Sequence, residues 1–239
     1  MPAERESRII VLHLTKYGDK SLVVQALDAE RGRSGFFLRG AGKGRGTLGA
    51  FHPLGILDVV AASGKGSLEY IRESEAPYSL AGIRTDPYKS AIALFISELL
   101  YRCMTDGDMD SDMFGFLQSE ILALEGTGGS VANFHLHFLV EFCRKLGFQP
   151  RDNYSPARTL FVPYSAEFTG ADTLAETFSP EESLLLHRLL CLTREEAMQI
   201  PLGREMRSAF AQKMTDYLAY HLSQNLNIRS LKVLHGLFS

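Results

Sequence analysis

Two periods divide this chain of 239 residues. From residue 8 to about 75, short apolar runs rich in Val, Ile, Leu and Phe alternate with turn-forming clusters, the signature of strands. Segments 8–14 and 21–27 are joined by "TKYGDK", and "ERGRS" at 30–34 separates the second from "GFFLR" at 35–39. Segments 50–61 and 67–74, split by "SGKG", supply a fourth and a fifth. No pattern of helical length falls among them. A five-stranded OB-type barrel satisfies such a series most economically, because closure removes the edges an open sheet would leave. A small open sheet packed on the following helices is the alternative.

After Asp86 the period lengthens. Asp86-Pro87 offers an N-cap acceptor followed by proline at the first helical position. Ile92, Phe95, Ile96, Leu99, Leu100 and Cys103 then recur at helical spacing as one apolar stripe. Further helices are predicted over 111–125, 131–146, 180–192 and 203–224, with 230–238 closing the chain as a short one. Ser179-Pro-Glu-Glu182 reads as a capping box, and Met206, Phe210, Met214, Tyr217, Leu218 and His221 share one face of the fifth helix. Between 147 and 178 the pattern breaks down into irregular structure or a small insert, with a candidate strand at 159–162. The expected fold class is α+β: an N-terminal OB-type β-barrel in residues 1–80, then an all-helical C-terminal domain in 81–239, joined near 76–86.

Composition narrows the class without defining a function. Hydrophobic content of 45% and charged content of 22% are those of an ordinary globular protein. No stretch approaches the ~20 apolar residues of a membrane span. The start, "MPAERESR", is charged and the apolar run at 9–12 is short, so no secretory leader is expected. Cys103, Cys143 and Cys191 lie far apart without a CxxC pair, which suits buried thiols in a reducing cytosol. Net charge is -3, but it is unevenly spread. From Lys16 to Arg45 seven cations face three anions, whereas from Cys103 to Cys143 there are seven acids and no Lys or Arg. A local basic footprint of this kind can serve an anionic partner within an acidic protein.

Several familiar sites fail on inspection. Gly44-Arg-Gly46-Thr-Leu-Gly49 matches GxGxxG, but a dinucleotide site needs a helix to begin directly after the glycines. Here "AFHPLGILDVV" follows, a strand. A phosphate loop also fails, since Lys43 precedes Gly44 instead of Ser or Thr. "DGDMDSD" at 106–112 puts Ser111 and Leu117, or Met113 and Ser119, where a calcium loop needs Gly and Glu. A metal-dependent nuclease could use four such carboxylates; the simpler reading is acids meeting a helix N-terminus. His135 and His137 are two apart on a predicted helix and point away from each other, so they do not chelate one ion. No GxSxG, HExxH or Cys–His signature occurs, and neither an enzyme nor a cofactor is expected.

The stretch "FLRGAGKGRGTLGAF" at 37–51 remains, with five glycines and three cations between two strands. Glycines let a backbone approach a ligand closely. Arg39, Lys43 and Arg45 can then reach phosphates, with Arg31 and Arg33 at the other end of the third strand and Lys16 and Lys20 at the first turn. OB-type grooves hold single strands with a basic track and aromatic platforms. Tyr17, Phe36 or Phe37, and Tyr70 are the platform candidates; strand alternation forbids Phe36 and Phe37 from facing the same side. The alternatives are a solvated face for the cations and core packing for each aromatic.

The run from Leu14 to Val60 resembles the amino-terminal region of the RecO family of DNA repair proteins. The resemblance rests on Tyr17-Gly18 before the second strand, Glu30-Arg-Gly32 before the third, Arg39-Gly-Ala41 in the basic loop, and Gly49-Ala-Phe-His-Pro53. "YLAYHLSQNLNIRSLKVL" at 217–234 is similar to the family's closing segment. The resemblance implies a recombination mediator that binds single- and double-stranded DNA. It also implies annealing of strands coated with single-stranded-DNA-binding protein (SSB), and work with RecR to load RecA, without nucleotide hydrolysis. Lys16, Lys20, Arg31, Arg33, Arg39, Lys43 and Arg45 are the matching positions for the DNA role. Many members carry a cysteine zinc module after the third helix of the helical domain; here 147–178 holds neither Cys nor His, so no structural zinc is expected. Some members place an Arg before a Phe in the helix that receives the acidic SSB tail. The similar position here is His137, mostly neutral at pH 7 when unperturbed, which disfavours that contact.

Overall fold

The computed structural model describes residues 4–18, 21–39, 48–63, 68–105, 107 and 109–237. Backbone packing divides the chain into two compact units, Met1–Thr127 and Gly128–Ser239. The first is built on five strands: β1 (Glu4–Lys16), β2 (Ser21–Asp28), β3 (Gly32–Arg39), β4 (Ile56–Ser63) and β5 (Glu69–Glu75). They close in the order β1-β2-β3-β5-β4, β1 also pairing with β4. All pairings are antiparallel except β3 with β5, which is parallel. This is the Greek-key barrel expected from the sequence, and the open-sheet alternative is set aside.

Inward positions alternate as the pleat requires. Ile9 and Val11, Val24 and Ala26, Phe36, Leu57 and Val59, and Ile71 fill the barrel. Strand β1 is longer than the apolar pattern suggested, because it borders both β2 and β4. Its polar beginning is held by ion pairs. Arg5 donates to Glu69 of β5 and to the buried carboxylate of Asp28, at 2.6 Å, whose other oxygen caps the following turn through the Glu30 and Arg31 amides. Arg8 grips Asp58 of β4 at both oxygens, 2.6 and 2.9 Å. Ile10 and Leu12 are buried on the opposite face, where β1 packs on the helix that follows the barrel.

The approach to β4 is tight. The Val11 amide donates to the Gly55 carbonyl and the Leu54 amide to the Val11 carbonyl, both at 2.8 Å. Leu54 adopts a positive φ of 63°. A Cβ on Gly55 would lie 2.1 Å from the backbone oxygen of Ala50.

Three helices complete this unit: α1 (Ala81–Thr85), α2 (Pro87–Cys103) and α3 (Ser111–Gly126). Asp86 caps α2 at the Tyr88 and Lys89 amides, with Pro87 at the first position. All six residues of the expected apolar stripe on α2 are buried. Glu125, near the end of α3, accepts from the Gly82 and Ile83 amides at 2.8 Å each and so caps α1. Asp110 caps α3 by accepting from the Met113 amide.

The second unit comprises α4 (Phe134–Lys145), a hairpin of β6 (Leu160–Val162) and β7 (Glu167–Thr169), α5 (Pro180–Cys191), α6 (Arg194–Met198), α7 (Arg204–His221) and α8 (Leu231–Leu237). It is therefore largely helical, with one small antiparallel pair where a strand was expected. Aromatic packing orders the 147–178 segment: Phe161 meets Phe168, Phe178 and Tyr217, while the Tyr217 hydroxyl donates to the Phe148 carbonyl at 2.7 Å. The capping box at Ser179 and Glu182 forms with both reciprocal bonds. His135 and His137 are both buried on α4, a helix enclosed on nearly all sides. Burial pushes the His135 imidazole down to about 3, assisted by Arg207 and His235.

Two outcomes follow from these contacts. Gly55→Ala is expected to lower unfolding free energy by at least about 2 kcal/mol in urea denaturation, since the clash is with backbone and no side chain can yield. In acid, the unfolded His135 takes up a proton near its ordinary value while the folded one does not, so stability falls as pH drops. Wild type should lose about 2 kcal/mol more than His135→Leu between about pH 7.5 and about pH 5, measured by the same titration. Parallel pH profiles would contradict the buried neutral imidazole.

Candidate nucleic-acid interface

The parity of β3 decides which aromatic faces out. Phe36 is fully buried in the barrel, so Phe37 projects from its outer surface. Phe37 pairs laterally with Val23 of β2 and with Tyr70 of β5. Its ring meets Tyr70 edge-on at 5.5 Å and Tyr17 edge-on at 5.5 Å, forming a row of three rings. Tyr17 is 64% exposed at the β1–β2 turn, so this end of the row is open to a ligand. Two residues along β3, on the same face as Phe37, the Arg39 guanidinium lies 4.8 Å over Tyr70 and 5.9 Å from Phe37. Cation–π contact holds the charge at the rim without satisfying its hydrogen-bond donors.

The remaining cations divide by position. Lys16 ends β1 and is exposed. Arg31 is exposed before β3 and reaches Glu69 at 3.3 Å. Arg33 turns onto α2, donating to the Tyr101 carbonyl at 3.0 Å and lying 5.2 Å over that residue's ring. Arg33 and Arg39 are thus about 20 Å apart along β3. Arg31 and Arg33 line a separate groove of about 310 Å³ with Gln25, Ser34, Gly35 and Glu69. Lys20, Lys43 and Arg45 lie outside the described residues. The structure therefore joins Arg39 with Tyr17, Phe37 and Tyr70, while Arg33 has a structural engagement. That engagement had no local signal, because Tyr101 is 68 residues away in sequence.

Other surfaces of this unit carry the opposite charge. A groove of about 990 Å³ between β1, β4, β5 and α3 is lined by Glu6, Asp58, Glu73 and Glu75, with only Arg8 opposing them among its lining side chains. Within the 106–112 cluster, Asp110 caps α3 and Asp112 stands in its first turn, as the helix-terminus reading expects. Asp106 and Asp108 lie outside the described residues. Among the described residues no helix is long and apolar enough to cross a membrane.

A closed five-stranded barrel with an outward aromatic row and a stacked arginine belongs to the class of OB-type barrels followed by helices. Comparison with known proteins gives the family. The profile described as "Recombination protein O N terminal" matches residues 1–79, and that described as "Recombination protein O C terminal" matches 84–230. The chain is 31% identical over 234 residues to the DNA repair protein RecO of Phocaeicola vulgatus, covering 96% of this chain and 97% of that one. It is 32% identical to the RecO of Bacteroides fragilis with the same coverage. It is 29% identical over 241 residues to that of Flavobacterium johnsoniae, covering 98% and 99%. The chain belongs to the RecO family, a family of DNA repair and recombination proteins.

The two classes of arginine are separable by experiment. Arg33→Ala should lower the calorimetric Tm, with a loss of about 1 kcal/mol for the hydrogen bond and ring contact. Arg39→Ala, at an exposed rim, should leave Tm within the small range of surface substitutions. The reverse order would contradict the assignment.

Proposed function

We propose that the barrel holds DNA along the rim formed by Tyr17, Phe37, Tyr70 and Arg39, with the exposed Lys16 at the end of β1. Lys20, Lys43 and Arg45, which lie outside the described residues, are proposed on their charge alone to contact the phosphates. The observation that carries this reading is the row of three outward rings with Arg39 stacked on it. Bases stack on such rings without sequence preference, and the cations meet the phosphates. Arg31 and Arg33 contribute a secondary groove at the other end of β3. In this reading residues 1–80 hold DNA and 81–239 dock proteins.

Family membership supports the wider role. The protein is a non-enzymatic recombination mediator of the cytoplasm: it binds single- and double-stranded DNA, anneals complementary strands coated with SSB, and works with RecR to help load RecA. Annealing needs the strand held by its backbone and stacked loosely, so that base edges stay free to pair. A basic rim with aromatic platforms meets that need and requires no nucleotide or metal chemistry.

The test is binding of a labelled single strand across a salt series, followed by annealing of SSB-coated complementary strands. Tyr70→Ala should weaken binding by roughly 5- to 150-fold, from about 1–3 kcal/mol for one stacked base. Reversing the charge of Arg39, Lys43 and Arg45 together should make the salt slope shallower by about 2, at about 0.7 per phosphate contact on single strands. It should also abolish annealing. Unchanged affinity in both variants would reduce the barrel to a scaffold for the helices.

A further inference from the structure

We propose that Asp152, His187 and Cys191 in the second unit form a binding site for a divalent transition-metal ion of the zinc class. His187 and Cys191 are four apart on α5 and so share one face of the helix. Asp152 comes from the segment after α4. His187 Nδ1 is 2.8 Å from Asp152 Oδ1, Cys191 Sγ is 3.3 Å from Asp152 Oδ2, and Sγ is 3.9 Å from Nδ1. All three donor atoms lie within 4.8 Å of one another. Metal–donor bonds of about 2.0–2.3 Å in a tetrahedral site set donor separations of about 3.3–3.6 Å. With one donor atom from each residue the separations stay within 4.8 Å, so closure on an ion takes shifts of about 1 Å or less.

The donors are held in place from outside the trio. The His187 ring stacks on Tyr154 at 4.5 Å and 10°, with Phe168 edge-on beside it, which fixes the ring plane. Asp152 is flanked by two anchors to the β6–β7 hairpin. The Arg151 amide donates to the Ala166 carbonyl at 2.8 Å, and the Asn153 side chain accepts from the Phe168 amide and donates to its carbonyl. Preorganised donors on anchored backbone are what a metal site requires beyond donor identity.

Donor chemistry selects the ion. Thiolate, imidazole and carboxylate together suit a borderline ion such as Zn2+ better than the all-oxygen preference of Mg2+ or Ca2+. On binding, the Cys191 S–H bond breaks, its proton passes to solvent, and the sulfur lone pair forms the metal–sulfur bond. The proton by which His187 Nδ1 donates to Asp152 also leaves to solvent while Nε2 takes one up, so the ring stays neutral. The freed Nδ1 lone pair and one Asp152 oxygen supply two more bonds, and water takes the fourth position on the solvent side. Cys191 is exposed, contrary to the buried thiol expected from its helical setting. Burial and the neighbouring Asp152 push its thiol up from the ordinary range, and a cation at the trio reverses that influence. No metal was expected anywhere in the chain; the trio departs from that expectation because two of its three donors lie on α5, outside residues 147–178.

Titration of the full chain with Co2+ tests the site. The expected result is one equivalent bound, with tetrahedral visible bands and a thiolate-to-cobalt charge-transfer band, both lost on adding Zn2+. Cys191→Ser, at an exposed position that should not disturb folding, removes the charge-transfer band. Asp152→Asn weakens Co2+ binding by more than about tenfold, the lower bound for losing even an outer-shell partner. Absence of the bands in the wild-type chain would overturn the proposal. So would a charge-transfer band that persists in Cys191→Ser, because the sulfur would then belong to another cysteine. The readout is the metal's own spectrum and stands apart from any DNA measurement.

Discussion

The parallel pairing of β3 with β5 is the contact on which the barrel and its outer surface both depend. Among the described residues it is the one parallel ladder beside otherwise antiparallel neighbours, and it closes the sheet between strands that are not consecutive. The register sets Phe37 beside Tyr70 and Phe36 beside Glu69. With Phe36 committed to the core, Phe37 and Arg39 must emerge on the outer face, where Tyr70 receives the guanidinium. A one-residue slip would exchange inside for outside along the whole strand and bury the rim chemistry. The partly buried ion pairs from Arg5 to Asp28 and Glu69 oppose that slip, since Glu69 opens β5 and a shifted strand would leave the buried Asp28 carboxylate and its partners out of register.

Charge is partitioned in the same unit by those structural demands. Arg5 and Arg8 secure strands in the fold, and Arg33, a candidate DNA-binding residue in the sequence, is engaged with α2. Acidic side chains gather in the groove between β1, β4, β5 and α3. What is left for an anion on the described rim is exposed Lys16 and the stacked Arg39, beside rings that a base can meet face or edge. A net charge of -3 therefore does not oppose a DNA role, because the repulsive part is held on other stretches of the barrel and along α3. In the second unit, the Phe161 cluster gives the 147–178 segment a hydrophobic anchor, and that anchor positions Asp152 against α5.

Much of this was legible in the residues. The apolar runs of β2 and β4, the Asp86-Pro87 start and the Ser179–Glu182 box all formed as their local chemistry dictates. The beginning of β1, residues 4–7, carries no apolar pattern, and the pairing of Arg5 with charges on other strands marks that stretch only in the fold. Helices α1 and α6, five residues each, are too short to display a period. Of the interface, parity required that Phe36 and Phe37 part company, but the choice between them needed the core. The engagement of Arg33 with Tyr101 and the meeting of Asp152 with His187 and Cys191 are long-range contacts with no local signature.

The central claim is that single-stranded DNA lies on the outward aromatic row of the barrel. Ultraviolet crosslinking of the full chain to an oligothymidylate, followed by peptide mapping, tests it most directly, because stacked rings couple to thymine at contact distance. Adducts on Tyr17, Phe37 or Tyr70 that vanish in high salt are the predicted result. Adducts confined to residues 128–239, with the three rings unmodified, would contradict it.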